Sequence, residues 1–123
     1  MGPTDSVTMG TDRNSIELTE FRYALLFILA EGSDFGLGLK RRLQQYYGVE
    51  INHGKLYPNL DALVDAGLVE KSERNKRTND YLITPDGLEV AVDRVGWEIT
   101  RLVEDEETAA SLLRSLEDEV LAT

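Results

Sequence analysis

Residues 52–87 read NHGKLYPNLDALVDAGLVEKSERNKRTNDYLITPDG, and the order of elements in this stretch decides the fold. Asn52 is a good helix N-cap, because its side-chain oxygen can accept a free backbone N–H of the first turn. Leu56, Leu60, Leu63 and Val64 then recur at the spacing of one buried helical face. Pro58 falls early in this helix; within the first turn its missing N–H costs nothing, and deeper it bends the axis. Gly67 closes the helix. Leu68–Glu73 and Tyr81–Thr84 alternate as strands, and the polar, turn-prone residues 74–79 between them make a hairpin. Thr84 is an N-cap for another helix, with Pro85 at its first position. Helix, hairpin and helix entry in that order predict a winged helix-turn-helix: a mainly α (α+β) fold.

Upstream, residues 1–15 hold Gly, Pro, Ser, Thr and Asp with little to bury and are expected to form a disordered tail. A first helix is expected from about Leu18, capped by Thr19 and stopped at Gly32. It is apolar nearly all round, so a partner chain is expected on one of its sides, with Phe21 and Leu25 helping to dimerise. A second helix is expected from Phe35 or Gly36 to Tyr46, carrying the basic cluster Lys40, Arg41 and Arg42. Val49–Ile51 lines up with the first strand of the winged helix. The winged-helix domain spans 16–84.

Residues 85–123 read as a C-terminal dimerisation helix. Leu88, Val92, Val95, Ile99 and Leu102 step 4, 3, 4, 3, and the count continues through Glu106 and Ala109 to Leu113 and Leu116, a heptad seam with one acidic interruption. One helix to Leu121 would be about 55 Å long at 1.5 Å per residue. The favoured reading is that single helix; a break within 104–108 is the alternative. Trp97 lies just off the seam and is expected to pack against its own domain.

The chain of 123 residues carries a net charge of -10, ordinarily adverse to nucleic-acid binding. The charge is unevenly spread. Residues 36–84 hold 8 basic and 6 acidic groups, whereas residues 85–123 hold 3 basic and 11 acidic. The segment with a positive balance is the one that reads as the winged helix. In such a fold the recognition helix offers its first residues to base edges in the major groove. Here these are Asn52, His53, Lys55 and Asn59: asparagine pairs with adenine, while lysine and histidine donate to guanine. Tyr57 is placed to donate to a phosphate. Lys40, Arg41 and Arg42 are expected on the DNA backbone, Lys76 and Arg77 at the wing tip and Arg74 at the wing base. The partners expected are double-stranded DNA and a second copy of the chain, in the cytoplasm and with no membrane. Salt cations are expected near the DNA interface.

The chain has no cysteine and one histidine, which excludes disulfides and thiolate metal sites; no metal, cofactor or catalytic residue is expected. Asp61 and Asp65 share a helix face, but i, i+4 acids on a helix are ordinarily a solvated surface. Four lysines stand against 23 Asp and Glu, a composition like that of proteins from salt-accumulating halophiles. For about 8 phosphate contacts, affinity would fall roughly 7 decades per tenfold rise in salt. Binding in molar salt would then rest on base contacts and shape, with Glu50, Glu70 or Glu73 holding cations against phosphate. A winged helix that binds proteins and not DNA is the alternative function.

The segments Asn52-His53-Gly54-Lys55-Leu56-Tyr57-Pro58, Gly67-Leu68-Val69 and Tyr81–Gly87 resemble the PadR-like family of winged-helix transcription regulators, in particular its halophilic-archaeal type. The resemblance covers roughly residues 18–103, with Lys55 replacing the usual threonine. It implies a homodimer built on the last helix and, in most members, repression of transcription. Some relatives bind flat aromatic ligands between their long helices; the sequence names no effector.

Overall fold

The computed structural model describes residues 16–103 and 105–122. In chain order the elements are α1 (Glu20–Glu31), β1 (Asp34–Phe35), α2 (Gly36–Tyr47), α3 (His53–Asp65), β2 (Val69–Asn75), β3 (Thr78–Ile83), α4 (Pro85–Leu102) and α5 (Glu106–Ala122). Two compact units emerge, one ending at Leu88 and the other beginning at Glu89. The tail expected over 1–15 lies outside the described residues.

The first unit is a three-helix cluster closed by a small antiparallel sheet of order β1-β3-β2. Thr19 caps α1 by accepting the Arg22 N–H, and Asn52 caps α3 by accepting the Lys55 N–H. Gly48 and Gly67 end their helices with φ of 72° and 80°, left-handed backbone that a side chain would strain. Leu25, Leu26, Leu39, Leu43, Leu56, Leu60 and Leu63 are fully buried and form the core.

Several expectations change here. The strand completing the sheet is Asp34–Phe35, paired with Tyr81 and Asp80, and not Val49–Ile51, which has no regular structure. The chain enters β1 directly from α1, so this short strand reaches the free edge of β3 while the later loop does not. Most of the apolar belt of α1 is covered by the domain itself, while Tyr23 and Phe27 are half-buried with their rings stacked at 6.4 Å. Phe21, Ala24, Leu25, Leu26, Ile28 and Leu29 are buried, because α1 packs against α2, α3 and β3 at once. Phe21 and Leu25 therefore belong to the domain's own core and are not offered to a partner.

The wing is longer than the alternation suggested. Strands β2 and β3 pair from Val69–Ile83 out to Asn75–Thr78, with Lys76 and Arg77 as the turn. No non-glycine residue among those described has positive φ, so this is not one of the mirror-image turns that match strand twist. Arg74 is the extra residue of a bulge between Glu73 and Asn75, and the bulge supplies the twist that the turn does not.

The wing is tied to α4 around Leu68. The Thr84 N–H donates to the Leu68 carbonyl at 3.1 Å, and the Thr84 hydroxyl donates to the Gly67 carbonyl at 2.8 Å. Thr84 also caps α4 by accepting the Gly87 N–H at 3.0 Å. A Cβ at Gly87 would overlap the Leu68 carbonyl, so the first turn of α4 lies directly on the start of the wing.

In the second unit the single long helix is not found. Helix α4 stops at Leu102 and α5 begins at Glu106. A Cβ at Gly96 would lie 3.3 Å from the Leu113 side chain. In one straight helix these residues would stand about 25 Å apart, so the chain turns back and the heptad count does not run on. Asp105 starts the new helix by accepting the Thr108 N–H at 3.1 Å. Asp105, Glu106 and Glu107 suit the positive end of a new helix dipole and would burden the negative end of an old one.

Candidate nucleic-acid interface

Helix α3 shows one line of exposed residues, Gly54, Pro58, Asp61 and Asp65, spaced 4, 3 and 4 along the chain. His53 and Lys55 flank its start and are also exposed. The His53 ring stacks on Tyr57, centroids 5.7 Å apart and planes within 4°. The Lys55 ammonium sits 4.6 Å above the Phe21 ring, an exposed cation–π contact from which a flexible lysine is easily drawn. Pro58 lies inside the helix, beyond the first turn.

Between the start of α3 and the wing lies a concavity of about 370 Å³, lined in part by Phe35, His53, Tyr57, Arg77 and Tyr81. The Tyr57 hydroxyl lies against Gly36, where any Cβ would overlap it. The half-buried Tyr57 thus joins α3 to the start of α2. Burial, then the nearby Asp61 and Tyr57, push the Tyr81 phenol above its ordinary value, so it stays a neutral hydroxyl.

The basic residues fall into two groups. Lys40, Arg41, Lys76 and Arg77 make no ion pair among the described residues. Arg41, Lys76 and Arg77 are exposed and Lys40 is partly so. At the wing tip Asn75 accepts the Arg77 N–H at 2.9 Å, fixing the turn while leaving both cationic side chains outward.

Arg42 and Arg74 are used by the fold. Arg42 donates to the Ile28 and Gly32 carbonyls and pairs with Asp34 at 3.2 Å and Glu31 at 3.4 Å. It fastens α2 to the end of α1, so the expected backbone clamp is a structural tie. Arg74 places Nε and Nη2 at 3.1 and 2.7 Å from the two Asp80 oxygens and lies 4.6 Å over the Phe35 ring. It crosses β3 to hold the bulged wing against β1.

The asparagines are similarly occupied. Asn52 Oδ1 accepts the Lys55 N–H at 2.8 Å. Asn59 Oδ1 accepts from Arg22 Nε at 2.7 Å, and Asn59 Nδ2 donates to the Lys55 carbonyl at 2.7 Å. Sequence reasoning missed Arg22, which also donates to the Glu17 carbonyl at 2.7 Å. Nothing local signals a bond between residues so distant along the chain. Asp34, the partner of Arg42, was missed for the same reason.

Glu50, Glu70 and Glu73 are exposed. Leu88, at the end of the first unit, is half-buried; in the second unit Val92, Val95, Ile99, Leu113 and Leu116 are half-buried, while Leu102 is 84% and Leu112 49% exposed. Trp97 is not packed away as expected: it is 55% exposed, with the Arg101 guanidinium 4.5 Å over its ring. No helix among the described residues is long and apolar enough to cross a membrane.

Comparison with known proteins agrees with this architecture. The sequence pattern of the Transcriptional regulator PadR-like family matches residues 25–93. The transcriptional activator GvpE2 of Halobacterium salinarum is 38% identical over 53 residues, which are 43% of this chain and 28% of that protein. The chain thus matches well under two thirds of that relative's length. Among solved structures, the complex structure hsRosR-S1 is 42% identical with a TM-score of 0.71, covering 91% of this chain and 98% of that one. H. salinarum RosR grown from NaBr is 43% identical with a TM-score of 0.71, covering 89% and 99%. F93 from STIV, a winged-helix DNA-binding protein, is similar in fold alone at 16% identity and a TM-score of 0.55, covering 72% and 95%.

Proposed function

Because this chain belongs to the PadR-like family of transcriptional regulators, whose members are not enzymes, we propose that it is a sequence-specific DNA-binding repressor acting as a homodimer on a palindrome-like site. The observation that carries the reading is the cationic wing tip. Lys76 and Arg77 stand exposed, with no ion pair among the described residues, beside the concavity at the start of α3, in a chain whose net charge is -10. Such a pair has no folding role here, whereas Arg42 and Arg74 do. A duplex with α3 in its major groove would bring phosphates or a minor groove to the wing. Lys40 and Arg41 on α2 are further backbone contacts.

The homodimer is supported by exposed apolar side chains in the second unit, above all Leu102, Trp97 and Leu112. Two-fold symmetry would set two recognition helices about one DNA turn, roughly 34 Å, apart. Repression follows the usual habit of the family. The lysine-poor, acidic composition and the likeness to a regulator from H. salinarum support work at high salt. There Glu50, Glu70 and Glu73 would hold cations between protein and phosphate.

The test is selection of bound fragments from random duplex DNA at low and at molar potassium chloride, repeated with Lys76→Ala/Arg77→Ala. A two-fold symmetric motif, weakened in the double variant, is expected. No enrichment at either salt would favour a winged helix that binds protein. Binding that falls about 7 decades per tenfold rise in salt would sink the cation-holding role.

A further inference from the structure

Resting on the DNA-binding reading, we infer that α3 reads guanine, through His53 and Lys55 on either side of a bare Gly54, and that the two asparagines of the helix do not read adenine. Recognition of adenine by asparagine needs the whole carboxamide, its oxygen accepting from N6 and its nitrogen donating to N7. Asn59 has both ends engaged, to Arg22 Nε and to the Lys55 carbonyl, each at 2.7 Å. Turning it to a base would break both bonds at a half-buried position. Asn52 has its oxygen committed to the Lys55 N–H at 2.8 Å, and its nitrogen alone cannot make the paired contact.

The side chains left exposed at the start of the helix are His53 and Lys55. Both present N–H donors. In the major groove guanine offers two adjacent acceptors, N7 and O6, and no other base does so. Lysine, with donors alone, can reach both and so selects guanine, and the histidine N–H adds a single donor to one of them.

Gly54 supplies an independent observation. It sits in the first turn of α3 with helical backbone, and a Cβ there would meet only Asn52 Oδ1, at an ordinary 3.4 Å. The fold does not need glycine at this position, and alanine would favour the helix. The missing side chain is of use to something outside the chain. Gly54 and Pro58 make the outward line of the first turns smooth, so the base edges can come close enough for His53 and Lys55 to reach them. Asp65, and Asp61 paired with Lys71 at 3.8 Å, continue that line with carboxylates, turning the duplex toward the start of the helix.

The experiment is the duplex selection carried out with the full chain and with His53→Ala, Lys55→Met, Asn59→Ala and Gly54→Ala, each with its melting temperature. The wild type is expected to enrich half-sites containing guanine. Preference at one guanine should fall about tenfold in Lys55→Met and in His53→Ala, while Asn59→Ala keeps the same motif. Gly54→Ala should melt no lower than wild type and bind at least about tenfold more weakly. A motif whose adenine preference vanishes in Asn59→Ala, or a Gly54→Ala variant that binds as well as wild type, would overturn the inference while leaving DNA binding intact. A wild type that enriches nothing would overturn both.

Discussion

The Arg22 guanidinium donates to the side-chain oxygen of Asn59 at 2.7 Å, joining α1 to the recognition helix across 37 residues of sequence. The same arginine donates to the Glu17 carbonyl, and Asn59 passes the connection to the Lys55 carbonyl. One cation thus sets α3 against α1 and against the segment that precedes α1. Arg22→Ala is expected to cost about 1–2 kcal/mol, because a charged, partly buried hydrogen bond is lost and the Asn59 oxygen is left unpaired. Arg22→Lys should recover little, since an ammonium lacks the fork that reaches both acceptors. Urea titration of the three proteins checks this; wild-type stability in Arg22→Ala would show the bond to be idle.

Neighbouring arginines on α2 should behave oppositely. Arg42→Ala removes the bonds to Ile28, Gly32 and Asp34 and should lower stability by about 2–3 kcal/mol. Arg41→Ala should leave stability within about 0.5 kcal/mol and weaken DNA binding. Denaturation midpoints beside binding titrations separate the two, and equal losses of stability would contradict the assignment.

At the wing tip, Lys76→Ala/Arg77→Ala should leave the melting temperature unchanged and make the salt dependence of binding shallower by about 2, because each lost phosphate contact removes roughly 0.9 from the slope. Titrating duplex binding at several potassium chloride concentrations reads this directly. An unaltered slope would place the wing away from phosphate.

The hydrogen bond from the Thr108 hydroxyl, with those from the Thr108 and Glu107 N–H groups, holds the Asp105 carboxyl below its ordinary pKa. A carboxylate depressed on folding contributes stability that is complete above its unfolded value, near 3.9, and is lost as pH falls through the folded value. The start of α5 should therefore loosen in acid below about pH 4. Asp105→Ala should show the same loss of helicity at neutral pH, seen by circular dichroism, and should be insensitive to that acid step.

Leu102 is 84% exposed at the end of α4. If it meets a second copy, Leu102→Glu should shift the chain from dimer to monomer in light scattering at micromolar concentration while keeping the helix content. A variant of unchanged mass would move the interface elsewhere.

The sequence by itself determined the elements that rest on local chemistry. Asn52, Thr19 and Thr84 announced helix starts because a short polar side chain meets the N–H groups beside it. The leucine spacing of α3 announced a buried face, and the polar run before Thr78 announced a wing turn. Enough of the family's pattern lies in residues 52–87 to point to the fold. Tertiary structure alone decided which charges are free. Arg41 and Arg42 are adjacent in sequence, yet the fold brings Asp34 and the end of α1 to one and leaves the other in solvent. It decided, too, that the asparagines brace the helix, that Asp34–Phe35 completes the sheet, and that Phe21 and Leu25 of α1 are covered from within. In each case the deciding contact joins separate elements of the chain, and its energy depends on a distance that no local pattern contains.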